Sequence, residues 1–204
     1  MEQRTDEWYA ARCGSLGASQ LNEALATTKS GWGASRENLK NRIIAERLTG
    51  QPSETFQNAA MAWGVEQEDN ARKAYEAHTG VFVDDMGIAY HPVLKHTHAS
   101  PDGLVGEDGL IEIKCPNTTT HIETLKAKKA PSKYINQMMW QMRCTDRQWC
   151  DFVSFDPRLP KHLQLFVVRV DRDDAAIAEL EAKVAEFLTE VDKEIERLNE
   201  EFSA

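Results

Sequence analysis

The chain is poor in cysteine and has no cysteine pair at metal-binding spacing. Its four cysteines, Cys13, Cys115, Cys144 and Cys150, form no CxxC motif in 204 residues. That argues against zinc or an iron–sulfur cluster and leads us to expect a reduced, cytoplasmic compartment. No apolar run is long enough to span a bilayer, and Met1-Glu2-Gln3-Arg4 does not open a signal peptide, so no membrane partner is expected. No internal repeat or low-complexity linker divides the sequence. With 41% hydrophobic residues it can bury one good core, so a single domain over 1–204 is expected.

Positive charge is also scarce. A net charge of −9 is a poor balance for binding nucleic acid. The deficit is local, however. From Asp173 onwards there are eleven acidic and three basic residues, so residues 1–172 carry only −1. Within them lies a basic cluster, Lys126, Lys128, Lys129 and Lys133. The acidic segment carries Ile177, Leu180, Val184, Phe187, Val191, Ile195, Leu198 and Phe202 at steps of three or four. This spacing predicts an amphipathic helix over 173–202, packed on the domain or a neighbouring subunit, with a solvated acidic face.

The most informative stretch is Ser100-Pro101-Asp102-Gly103, followed by Ile111-Glu112-Ile113-Lys114-Cys115-Pro116. Strand residues two apart share a face, which sets Glu112 beside Lys114 and turns Ile111 and Ile113 into a core. Asp108-Gly109 reads as a tight turn that folds Leu104 and Val105 back on this strand. Asp102 then comes near Glu112. Two carboxylates sharing a hard divalent cation, with an ammonium beside them, are equipment for hydrolysing a phosphodiester. The plain alternative is a half-buried strand with Glu and Lys on its wet face. Pro101 and Gly103 favour a site, because they fix a bend at Asp102. So does the change to Cys115-Pro116 just past Lys114.

The remaining pattern supplies a frame. A short helix follows Gly17-Ala18-Ser19, and a loop over Thr27 to Gly33 carries Trp32. Ser35 is a candidate cap for a helix ending near Thr49-Gly50. A long helix runs from about Asn58 to Thr79, stopped by Gly80. Strands are expected near Val81–Val83 and Gly87–Tyr90. Pro131-Ser132 opens a helix to about Cys144, and strands over Trp149–Phe155 and Leu163–Val170 precede the acidic helix. Mixed strands flanked by helices suggest an α/β or α+β sheet domain. His96 and His98 share a strand face and form a candidate metal pair, although hard-metal sites favour oxygen. His91, before Pro92, reads as a turn residue. Trp32 either touches DNA or packs on its own domain.

In order and spacing, a set of motifs resembles the phage lambda-type exonucleases, the YqaJ group of viral recombinases in the PD-(D/E)xK nuclease superfamily. The set is Trp8 to Arg12, Gly17-Ala18-Ser19, Ala62-Trp63-Gly64 with Glu68, Ser100-Pro101-Asp102-Gly103, Glu112-Ile113-Lys114-Cys115-Pro116, Tyr134-x-x-Gln137 and Asp156-Pro157-Arg158. The resemblance covers nearly the whole chain. It implies a restriction-endonuclease-like core with a mixed central β-sheet flanked by helices.

It also implies roles. Asp102 and Glu112 would hold Mg2+, with Mn2+ as a substitute and the Ile113 backbone carbonyl as a further ligand. Lys114, Glu68 and Gln137 would be catalytic, Lys114 by positioning or deprotonating water and offsetting phosphate charge. Glu66, two residues from Glu68, has a different heading on the helix. The family pattern continues Gln-x-Gln, whereas this chain has Met139; Gln141, on the Gln137 face, is the available substitute. Arg12, Ser19 and Ser100 match positions that hold a terminal 5′ phosphate, and a guanidinium with hydroxyl donors suits that task.

The activity implied is removal of 5′ mononucleotides from double-stranded DNA ends, leaving a 3′ single strand for recombination. A homotrimeric ring, a single-strand-annealing partner protein and a phage or prophage origin in a bacterial cytoplasm are implied with it. Two rival readings are a related endonuclease on the same fold and a non-catalytic DNA-end-binding module. The phosphate pocket separates the first, because an end-directed enzyme should prefer a 5′-phosphorylated end and spare closed circles; intact Asp102, Glu112 and Lys114 argue against the second.

Overall fold

The computed structural model describes residues 1–29, 31–53 and 58–203. Thr5 opens helix α1 (Asp6–Arg12), its hydroxyl accepting from the Trp8 amide. Strand β1 (Leu16–Gly17) leads through a 3-10 turn, Ala18–Gln20, into the single-turn helix α2 (Leu21–Ala24). The stretch expected to be a loop is instead two short antiparallel strands, β2 (Thr27–Thr28) and β3 (Gly31–Trp32); Ser30 lies outside the described residues. Helix α3 (Ala34–Thr49) ends as expected at Gly50, in the left-handed region at φ 67, but its N-cap is Gly33. Ser35 lies inside the first turn, so the capping expectation is corrected. Helix α4 (Ala59–Thr79) has the expected bounds, with the Asn58 side chain accepting from the Met61 amide and Gly80 closing the end at φ 75.

Next come β4 (Ala89–Tyr90), β5 (Thr97–Ala99), β6 (Gly103–Val105) and β7 (Gly109–Lys114). The strand expected over Val81–Val83 is absent; only Asp84 makes an isolated bridge, to Leu104. Then follow α5 (Thr118–Ala127), α6 (Ile135–Thr145), β8 (Trp149–Phe155), β9 (Leu165–Asp171) and α7 (Asp174–Glu201). The sequence pattern does not announce α5. Its buried positions are His121 and Thr124, so it has no apolar stripe, and it starts on an Asn117 cap.

The central sheet has the order β6-β7-β8-β9, with β7 and β8 parallel and the outer pairs antiparallel. A second sheet, β1-β5-β4, lies beside it. The β6–β7 hairpin forms, but its turn is displaced from the expected place. Val105 pairs with Gly109, so residues 106–108 make the turn and Gly106 supplies the positive φ of 56. Gly109 begins the strand, where a Cβ would stand 2.1 Å from the Trp149 ring.

Both faces of the central sheet are covered. Leu110, Cys150 and Phe152 pack against α6 and α7 through Met138, Trp140, Val184 and Phe187. On the other face Ile111, Ile113, Val153 and Phe155 pack on Ala71 and Tyr75 of α4. Burying one such side chain is worth about 1.5–3 kcal/mol. The α7 stripe is buried from Ile177 to Val191, and its acidic side is partly paired. Arg36 reaches Glu190 through two nitrogens at 2.7 and 2.9 Å, Arg143 meets Glu181 at 2.7 Å, and Arg47 meets Asp192. The expected solvated face therefore also anchors the helix to α3 and α6. Among the described residues all four cysteines are free, and no helix is long and apolar enough to cross a membrane.

Candidate active site

Strand β7 runs past the start of β6, because Gly103 pairs with Ile111 and three residues remain. Asp102 exploits the overhang. Its Oδ2 accepts from the Ile113 amide at 2.6 Å, where a longer β6 would have continued the ladder. A strand residue projects its N–H and C=O to the same side, so the Ile113 carbonyl faces the Asp102 edge as well. Glu112 points to the opposite side of the sheet from Ile111 and Ile113, beneath α6, and is 1% exposed. Its wet-face alternative therefore fails. Gln137 donates to Oε1 and Gln141 to Oε2, each at 2.6 Å, while the Lys114 ammonium pairs with Oε1. Residues four apart on a helix share a face, which lets both amides reach one carboxylate. Without such partners a buried carboxylate would cost on the order of several kcal/mol.

Electrostatics couple the group. Burial and then the charge of Glu112 push the Asp102 carboxyl well above the carboxylate range; Lys114 opposes this and Glu68 adds to it. Burial would lower Lys114, but Glu112 and Asp102 outweigh it and hold the ammonium well above its ordinary value. Lys114 is thus a fixed positive charge rather than a ready base. It also lies 5.2 Å from the centre of the Tyr134 ring.

Glu68 projects from α4 toward the same edge, and Glu66 is exposed on another heading. Glu68 pairs with Arg4. One turn on, Arg72 donates to the Asp102 carbonyl at 2.7 Å and pairs with Asp85. Gln3 donates to the carbonyls of Met86 at 2.7 Å and Pro101 at 2.8 Å, tying the N-terminal segment across the hairpin. Together Arg4, Glu68, Arg72 and Asp102 line a cleft of about 770 Å³. Gln3, Arg4 and Arg72 carried no sequence signal, because their partners are distant along the chain.

The donors fit a hard cation. Asp102 Oδ1 takes no hydrogen bond from the described residues, and Glu112 keeps one of its four lone-pair positions. Among the described residues no group of three His, Cys, Asp or Glu side chains forms a metal cluster. Mg2+ is usually held by one or two carboxylates, with water and substrate phosphate filling the rest, and that is the set present. The candidate histidine pair does not form. His96 precedes β5 with φ 59, and His98 turns its Nδ1 to Ser15 Oγ at 2.8 Å. His91 does hold a turn, its Nδ1 accepting from the amides of Val93 and Leu94.

Arg12 and Ser100 meet. The Ser100 hydroxyl accepts from Arg12 Nη1 at 3.4 Å and from Trp8 Nε1 at 3.2 Å, and the guanidinium lies 3.9 Å from the Trp8 ring centre. Burial lowers Arg12 to about 10, and among the described residues no carboxylate forms an ion pair with it. A partly desolvated cation without a carboxylate suits an anion. Ser19 is exposed on the turn after Gly17 and makes no hydrogen bond to Arg12 or Ser100. Further along, Asp156 is fully buried under Thr118 at 2.6 Å and Arg158 at 2.7 Å. Burial works to raise Asp156, but those hydrogen bonds hold it at about 2. Arg158 in turn stacks on Trp63 at 4.5 Å. Trp32 is 47% exposed and stacked by Arg36.

Comparison with known proteins bears on the family and the fold. The model of the YqaJ-like viral recombinase domain matches residues 7–148. The fold superposes on LHK-Exo, an alkaline exonuclease from Laribacter hongkongensis, with a TM-score of 0.91 and 50% identity over 98% of both chains. One of the solved LHK-Exo structures is a complex with dAMP. A phage-related exonuclease from Haemophilus somnus 129PT aligns over 92% of this chain and 96% of that one, with a TM-score of 0.68 and 18% identity, which bears on fold alone. These matches establish the mixed α/β, restriction-endonuclease-like core. Comparison with curated proteins returned no match.

Proposed function

The chain belongs to the YqaJ-like viral recombinase family, and from that premise we propose that it is a Mg2+-dependent exonuclease acting 5′ to 3′ on double-stranded DNA ends. The observation that carries this reading is the convergence of Asp102, Glu112 and Lys114 where β7 outruns β6, at the edge of a cleft that also contains Glu68. An all-oxygen donor set beside a fixed ammonium suits phosphodiester hydrolysis. LHK-Exo is described as an alkaline exonuclease and has been crystallised with dAMP, which is in keeping with mononucleotide release.

Asp102, Glu112 and the Ile113 carbonyl would hold the ion. When bound, it would supply Lewis-acid stabilisation of the charge that builds on the attacked phosphate. The chain's own groups do the rest. Lys114 sets a positive charge beside Glu112 and orients water toward the phosphorus. Gln137 and Gln141 hold the Glu112 carboxylate in one orientation. Glu68 assists from α4 once the Arg4 contact yields to substrate. Arg12 and Ser100, with Ser19 nearby, take the 5′ phosphate, which sets direction. The cleft needs no protein nucleophile and no covalent intermediate.

Family membership extends the proposal to a ring of three subunits, a single-strand-annealing protein as partner, and a role in recombination encoded by a phage or prophage in the bacterial cytoplasm. Digestion of linear, nicked and closed-circular DNA, each with Mg2+ or EDTA, tests the core of it. Loss of linear duplex in Mg2+ with closed circles spared is expected. Cutting of closed circles would make the enzyme an endonuclease, and no digestion of any form would leave only end binding. Mass measurement in solution tests the trimer.

A further inference from the structure

Beside the Arg12–Ser100 pocket sits a buried imidazole to which the mechanism gives no task. His98 lies on β5, in register with Gly17 of β1, and is 1% exposed. Its Nδ1 is 2.8 Å from Ser15 Oγ. Ser15 is buried, and among the described residues its hydroxyl has no other partner. The hydroxyl therefore donates to Nδ1, since the reverse arrangement would leave a buried O–H with no acceptor. The single ring hydrogen is then on Nε2. That nitrogen is buried and has no hydrogen-bond partner among the described residues. A buried donor left without an acceptor is destabilising unless a ligand satisfies it.

The orphan lies beside Arg12. A Cβ on Gly17 would stand 3.2 Å from His98 Nε2 and 3.4 Å from Arg12 Nη2. Both nitrogens thus border the same glycine, whose lack of a side chain lets them lie this close, and Ser19 follows two residues later. Burial and the Arg12 charge hold His98 at about 3. The ring stays neutral at working pH, and Nε2 stays a donor.

We propose that His98 is a specificity residue of this anion pocket, its Nε2–H donating to the terminal 5′ phosphate that Arg12 attracts by charge. The proposal rests on the reading of Arg12 and Ser100 as a 5′-phosphate site. Arg12 supplies charge, and the imidazole supplies a directed hydrogen bond that a 5′ hydroxyl would use poorly. The absence of a side chain at Gly17 lets both donors approach one anion.

The test is binding in EDTA of labelled linear duplexes carrying a 5′ phosphate or a 5′ hydroxyl. The readout is the ratio of the two affinities. Both duplexes meet the same protein preparation, so a loss of folded protein cancels. The parent should prefer the phosphorylated end by about tenfold or more, the scale of a hydrogen bond to a charged group. His98→Asn keeps a polar atom for Ser15 but loses the Nε2 donor, and should lower the ratio by about fivefold to tenfold. His98→Gln, whose amide nitrogen can stand where Nε2 did, should restore most of it. If the parent shows the preference and His98→Asn retains it, His98 has no such role while the pocket stands. Equal loss in both variants would mean a packing role and overturn the proposal too. No preference in the parent would remove the pocket and His98 together.

Discussion

Gln141 donates its amide to Glu112 Oε2 at 2.6 Å, and Gln137, one helical turn earlier, donates to Oε1 at the same distance. The two amides hold a buried carboxylate from one helix face. Met139, between them in sequence, lies in the core, and Gln141 supplies the second amide one turn on. Gln141→Leu should leave Oε2 without a donor. The expected cost is about 1–3 kcal/mol of stability, with slower cleavage as Glu112 loses its fixed orientation. Denaturant midpoints and digestion rates for parent and variant check this. Parent-like values in both would reduce Gln141 to a spectator.

Asp102 connects stability to the ion. Its carboxyl is raised by burial and by Glu112, so folding favours the protonated form. The stabilisation is complete below the unfolded carboxyl value of about 3.9 and is lost as pH rises through the folded value. Toward neutral pH the metal-free parent should therefore lose stability relative to Asp102→Asn. Added Mg2+ should reverse this for the parent, by about 2.7 kcal/mol at a hundredfold excess over Kd. It should do little for the variant, which should not cleave. Thermal melts with and without Mg2+ are the measurement, and equal Mg2+ shifts in both proteins would take Asp102 out of the metal site.

Lys114 stays charged because Glu112 and Asp102 outweigh its burial. Lys114→Ala should lose most turnover while DNA and Mg2+ still bind, since the ammonium acts on the developing charge. Single-turnover rates decide. A rate within twofold of the parent corresponds to only about 0.4 kcal/mol, too little for a contact made in the transition state.

Arg12 should govern the choice of end. It lies against Ser100 and Trp8 with no carboxylate in ion-pair range among the described residues, so its charge is available to a phosphate. A 5′-phosphorylated duplex should be digested faster than its 5′-hydroxyl counterpart. Arg12→Ala should narrow the gap, mainly by slowing the phosphorylated substrate, because a charge-assisted contact is about twice as strong as a neutral one. Time courses on end-labelled duplexes measure both effects. A preference that survives the substitution intact would place direction elsewhere.

Much of this protein could be read along the chain. The limits of α4 follow from the Asn58 cap and Gly80, and α7 from an apolar step of three or four over 173–202. Asp102, Glu112 and Lys114 could be grouped because a hairpin and a strand period of two are local rules. The same local rules missed where the chain's choices depend on distant neighbours. The turn falls at Gly106, and Gly109 is reserved for the Trp149 ring, forty residues away. Helix α5 lacks an apolar stripe, so nothing in its own sequence declares it. Whether Glu112 faced water or a core was undecided until α6 was laid over it, and Gln141 became its partner only there. His98 similarly ceased to be half of a metal pair once β5 aligned with β1 and turned it toward Ser15 and Arg12. Local periodicity sets which residues share a face; only packing sets what that face meets, and burial, orphaned donors and shifted protonation all depend on the second.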